Sequence, residues 1–162
     1  MNFYCVIHGL GSYHSIALFL KSPALDKRFP NSPTVSTLYL PQLSNNQISD
    51  VRPLTSLSKV YNLQLDQNQI SDLRPLAKMK TLSTLNLKSN RISNVKPLAE
   101  LPYMRELILD NNQITDLRSL SALQRLEQLH VRQNPLSIKE CPVKRYYDDP
   151  VLAALGGVCR FD

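Results

Sequence analysis

Asn68-Gln69-Ile70-Ser71-Asp72-Leu73-Arg74-Pro75-Leu76-Ala77 decides the fold, because the same phrase returns at a constant distance on both sides of it. Its Asn belongs to the series Asn46, Asn68, Asn90, Asn112 and Asn134, each 22 residues from the next without slippage. A fixed step of this size marks a repeat architecture, in which each unit is one supersecondary element. Two places after each Asn stand Ile48, Ile70, Ile92, Ile114 and Leu136. Before it, at minus five and minus three, stand Leu63/Leu65, Leu85/Leu87, Leu107/Leu109 and Leu129/Val131. In the second unit Leu63, Leu65, Ile70, Leu73, Leu76, Met79 and Leu82 are expected to point inward. One such coil cannot bury its apolar side alone, so stacking on its neighbours is obligatory.

The remaining repeat positions have explanations that need no ligand. An Asn at the strand end carries donors and an acceptor and tolerates left-handed backbone, so stacked copies are expected to satisfy the turning chain as an internal ladder. Asp50, Asp72, Asn94 and Asp116 are placed as caps ahead of a short helical turn, which Pro53, Pro75 and Pro97 pin and Ser119 does not. Two residues beyond each cap lies a basic column of Arg52, Arg74, Lys96 and Arg118. It reads as a solvated, partly self-paired face, with an anionic-partner site as the alternative.

Outside the period the chain changes character. Residues 1–37 hold no copy of the phrase and read as an irregular N-terminal cap, residues 38–138 as the repeats, and residues 139–162 as a C-terminal cap. The first repeat is imperfect: Pro41 takes a strand slot, which suits only an edge strand. Asp149-Pro150 before Val151–Leu155 and Gly156 reads as a short cap helix, with Val143, Tyr146, Tyr147 and Phe161 as its apolar partners.

Composition excludes several classes. A net charge of +6 without any run of five like charges gives no nucleic-acid footprint. Cys5, Cys141 and Cys159 have no ligand spacing, so no metal or other cofactor is expected. The first twenty residues contain neither Lys nor Arg and no Ala-x-Ala-like site, and their longest apolar run is Ile16–Leu20. No membrane span and no obvious export signal are read there. Val6-Ile7-His8-Gly9-Leu10-Gly11-Ser12 imitates the oxyanion turn of a hydrolase, but the chain has no G-x-S-x-G elbow. His8 and His14 fall in the N-terminal cap, His130 has no Ser or Cys beside it, and Glu106 lacks a paired acid, so no catalytic constellation is expected.

The pattern L-x-x-L-x-L-x-x-N-x-L resembles the leucine-rich repeat. The phrase Asn68 to Ala77 resembles, without mismatch, that of the bacterial internalin-type family, and Asn46, Asn90 and Asn112 begin close variants. The resemblance covers about Leu38 to Ile138. It implies an α/β repeat solenoid with five parallel strands on a concave face, short helical or 3-10 turns on the convex face, an irregular N-cap and a helical C-cap. Cys141-Pro142-Val143-Lys144 and Cys159-Arg160-Phe161 are similar to the cysteine-bearing caps of exported members, with Arg145 to Val158 as an insertion. This implies a possible Cys141–Cys159 disulfide, with free thiols as the alternative. Family members are typically recognition modules on or outside the cell, so an envelope or extracellular location is implied, and a cytoplasmic one if the N-terminus shown is native. A related repeat occurs in eukaryotic phosphatase-regulating subunits, where the absence of Trp here is a departure.

On that fold the residues between the inward leucines face solvent. The slots give Asn62, Thr84, Glu106 and Gln128; then Gln64, Asn86, Ile108 and His130; then Asp66, Lys88, Asp110 and Arg132. The last column alternates in sign and is expected to pair with itself. In the central column Ile108 is expected to be an exposed apolar residue among polar ones. Glu106, Ile108, His130 and Arg132, with Gln64 and Asn86, are therefore the candidate partner-binding residues. The face measures roughly 450 Å² from strand spacing and rise, against about 800 Å² per partner in a standard interface. The function expected is a monomeric, non-catalytic module for a protein or peptide. The alternatives are a phosphatase-type regulatory subunit and a truncated or remnant repeat fragment.

Overall fold

The computed structural model describes residues 43–57, 60–142 and 159–161. Five short parallel strands form one open sheet in chain order: β1 Asn62–Gln64, β2 Thr84–Asn86, β3 Glu106–Ile108, β4 Gln128–His130 and β5 Cys159–Arg160. The register advances by one repeat per strand, so Leu63, Leu85, Leu107 and Leu129 stand side by side. All four are fully buried, and the flanking residues of each strand are not. That is the period-two alternation of a sheet with one face packed and one face open.

Behind the sheet each coil returns through a 3-10 turn: Arg52–Ser56, Leu76–Lys78, Lys96–Glu100 and Arg118–Ala122. Each turn drives one leucine, Leu54, Leu76, Leu98 or Leu120, fully into the core. The seven inward residues expected of the second coil are all buried. Asp50, Asp72, Asn94 and Asp116 do not act as helix N-caps. The cap positions are Val51, Pro75, Val95 and Leu117, without side-chain cap bonds. Each Asx side chain instead accepts the backbone N–H two residues on, at 2.8–3.0 Å. A turn of three to five residues is too short to present a full α-helical N-terminus, so the side chain closes a local Asx turn.

The asparagine series forms the internal seam. Asn68, Asn90 and Asn112 are buried, and in each the amide nitrogen donates to two carbonyls of its own coil and one of the coil before. The amide oxygen accepts the N–H of Ile48, Ile70 or Ile92 in the preceding coil. Asn134 repeats the arrangement on Ile114 and Leu109 at the end of the stack, and Asn46 donates to Leu43 and Ser44 at its start. Left-handed backbone is not where the asparagine chemistry suggests. It falls on the residue before each ladder position: Asn45, Gln67, Ser89, Asn111 and Gln133, with φ between 54 and 57°. The ladder side chain needs its own backbone continuous with the turn, so the reversal is taken one residue earlier.

The sheet reaches five strands by a route the repeats do not supply. The strand expected around Pro41 lies outside the described residues, as do Cys5, the N-terminal histidines, the cap helix at 149–156 and its partners Val143, Tyr146 and Tyr147. The fifth strand comes from the cap. Cys159 is bonded to Cys141, Leu129 pairs with Cys159 and His130 with Arg160, and Phe161 packs against the core. Sequence reading missed it because two residues have no periodicity to detect.

Candidate functional site

The open face of the sheet is read directly from the register. Across β1 to β5 the central column runs Gln64, Asn86, Ile108, His130 and Arg160. Beside it runs Asn62, Thr84, Glu106 and Gln128. Arg132 follows two residues after His130, beyond the end of β4.

Hydrogen bonding divides this face in two. In the N-terminal half the polar groups are spent on one another. Gln64 Nε2 donates to Asn62 at 2.7 Å, and Asn86 Nδ2 donates to Gln64 at 2.9 Å and to Asp66 at 3.2 Å. Asn86 Oδ1 accepts the Lys88 N–H, and Asp66 also accepts from Ser44. Gln64 and Asn86 are thus members of a self-satisfied polar chain, so a partner would have to break bonds to use them.

In the C-terminal half the candidate residues remain open. Ile108 is half-buried rather than exposed, since Asn86 and His130 flank it at strand spacing. Glu106 is half-buried two residues before it on the same strand. His130 is also half-buried, and its Nε2 is shielded from solvent without a hydrogen-bond partner. An unmet buried polar atom costs about 1 to 3 kcal/mol. Arg132 is exposed.

The sign-alternating column satisfies itself at one step, through a backbone hydrogen bond and not through ion pairs. Among the described residues no ion pair joins Asp66, Lys88, Asp110 and Arg132. Asp110 is buried and accepts the backbone N–H of Arg132 at 2.8 Å. A short carboxylate that is sunk beside the neighbouring backbone finds a peptide donor before it finds a long cation.

The basic column of the convex side is paired. The guanidinium groups of Arg52, Arg74 and Arg118 each bind both carboxylate oxygens of the Asp two residues earlier. Arginine hydrogen bonding holds the Asp50 and Asp72 carboxyls below their ordinary value and lowers that of Asp116 to about 2. Lys96 has Asn94 two residues before it instead of an acid, and that side chain accepts the Lys96 backbone N–H. Near the cap, Asp116, Arg118, Ile138, Glu140, Cys141 and Pro142 line a groove of about 420 Å³ on this side. Of the large apolar side chains described, Tyr61, Tyr103 and Ile138 are the exposed ones, and Arg125 lies over the Tyr103 ring at 5.0 Å.

Among the described residues no group of three His, Cys, Asp or Glu is placed to hold a metal ion. No helix there is long and apolar enough to cross a membrane.

Stacked 22-residue coils, a parallel sheet on one side and an asparagine seam define a leucine-rich repeat solenoid. A leucine-rich repeat family model matches residues 61–147, and the chain belongs to that family. Its likeness within the family is to bacterial internalin-type proteins. It is 36% identical to an internalin from Listeria monocytogenes over 58% of this chain and 28% of that one, with a TM-score of 0.52. It is 28% identical to a leucine-rich repeat protein from Leptospira interrogans over 73% of this chain and 29% of that one, with a TM-score of 0.56. The chain thus spans less than a third of the length of either structure. No curated protein matches it.

Proposed function

We propose that the chain is a non-catalytic interaction module that binds a protein or peptide through the C-terminal half of its concave face. The observation that carries this reading is the division of the face. Gln64 and Asn86 bond to each other, while Glu106, Ile108, His130 and Arg132 keep side chains free beside one another. Leucine-rich repeat solenoids commonly serve as interaction modules, because in-register strands present fixed columns of side chains on a rigid support. The small area of the face suits a peptide segment better than a flat protein surface.

The test is a pull-down with the purified chain followed by the same experiment with Ile108→Asp. Charge placed at the centre of the column should abolish capture while the melting temperature stays within a few degrees, because Ile108 is only half-buried. Capture that survives unchanged would move the site to the convex groove beside Ile138.

A further inference from the structure

The C-terminal end of the concave face carries a cation that the repeats do not contribute. The Cys141–Cys159 bond fastens β5 beside β4, and Val131 N–H donates to the Arg160 carbonyl at 2.9 Å. Cys159 and Phe161 pack against the core. Strand alternation therefore turns Arg160, which lies between them, to the open side with its register partner His130. Arg160 and Arg132 are both exposed. Neither guanidinium makes an ion pair among the described residues. The acid of the adjacent coil, Asp110, is already committed to the Arg132 backbone. This differs from the convex side, where Arg52, Arg74 and Arg118 each have a carboxylate of their own.

We infer that this end of the concave face takes an acidic peptide segment of a partner protein, with Arg160 and Arg132 receiving its carboxylates and Ile108 and His130 seating an apolar side chain between them. The inference rests on the concave-face reading and adds the partner's chemistry and the residue Arg160. An unpaired guanidinium has the planar, two-pronged geometry that a carboxylate fits. A nucleic acid fits less well, because Glu106 stands on the same half of the face and, among the described residues there, the half-buried His130 is the one ring on which a base could stack, where a strand-binding groove sets out several. A peptide spaces its charges and can set an apolar residue over Ile108.

The test is selection of random dodecapeptides displayed on phage against the full chain with its disulfide intact, in parallel with Ile108→Asp and Arg160→Glu. The wild-type chain should recover peptides enriched in Asp and Glu. Arg160→Glu should bind a recovered acidic peptide about tenfold more weakly by fluorescence anisotropy and shift the selected pool toward Lys and Arg. Intact mass and the melting curve confirm that the variant retains its fold, and Arg132→Glu repeats the test if it does not. Peptides without acidic enrichment, or an acidic peptide bound equally by wild type and both charge-reversal variants, would overturn the inference while leaving the concave face in place. Recovery no better than on Ile108→Asp would overturn the concave-face reading itself. Binding of a twelve-nucleotide DNA strand as tight as that of the acidic peptide, and equally dependent on Arg160, would replace the peptide with a nucleic acid.

Discussion

Asn90 holds Ile70 across the gap between coils: its Oδ1 accepts the Ile70 N–H at 2.9 Å while its Nδ2 donates to Leu65 of the same earlier coil at 3.0 Å. One side chain thereby ties two coils, and its amide also meets the Leu87 and Lys88 carbonyls of its own turn. Asn90→Ala strands buried partners in both coils, and each unmet group costs about 1 to 3 kcal/mol. The midpoint of chemical unfolding should fall for the whole array in one transition. An unchanged curve would mean that the seam does not bind the stack together.

The left-handed positions offer a gain in stability. Gln67 holds φ at 55°, a conformation that Cβ disfavours, and its side chain is exposed. Glycine reaches it without that penalty but brings a more flexible unfolded chain. The two terms leave Gln67→Gly neutral to about 1 kcal/mol more stable, whereas Gln67→Val, β-branched at positive φ, should lose about 1 to 2 kcal/mol. Thermal unfolding of the pair checks the ordering, and a valine variant as stable as the glycine one would contradict it.

The disulfide closes a loop of 18 residues in sequence separation and sets β5 on the sheet edge. A loop of that size contributes about 3 kcal/mol in the chain-entropy account. Cys159→Ser should lower the melting temperature and raise amide exchange at Val131, whose N–H bonds to Arg160. Slow exchange at Val131 in the variant would show that β5 docks without the bond.

Acid should weaken the convex side in a defined window. Pairing with arginine lowers the carboxyl pKa values of Asp50, Asp72 and Asp116 in the folded chain, so on acidification the unfolded chain binds protons first. The stabilisation is complete above the ordinary value of 3.8 and is lost as pH falls toward about 2. It is small, since the pairs are solvent-exposed. Melting of wild type and the Asp50→Asn, Asp72→Asn, Asp116→Asn triple variant should converge near pH 2 and separate slightly above pH 4. A gap that widens as pH falls would have the wrong sign for this cause.

The coil, its core and its seam were legible in the sequence because each is a local pattern repeated at one period. Leu63, Leu85, Leu107 and Leu129 must share a column once the step is 22 and the sheet parallel, and Asn68, Asn90 and Asn112 must likewise stack. A resemblance that covers most of the repeats added the handedness of the reading, concave against convex. What pairs with what on the open face was not legible. Asp66, Lys88, Asp110 and Arg132 alternate in charge, yet depth decided their partners: Asp110 is sunk far enough to meet a peptide N–H, and Arg132 is left in solvent. Ile108 lost much of its predicted exposure to neighbours one strand spacing away. Arg160 joined the face through a two-residue strand at the sheet edge, beside a bond between residues 18 apart in sequence. Period and side-chain type are properties of the chain, so the sequence by itself determined the solenoid. Burial depth, hydrogen-bond competition and the docking of the cap depend on distances between coils, and only the tertiary structure decided them.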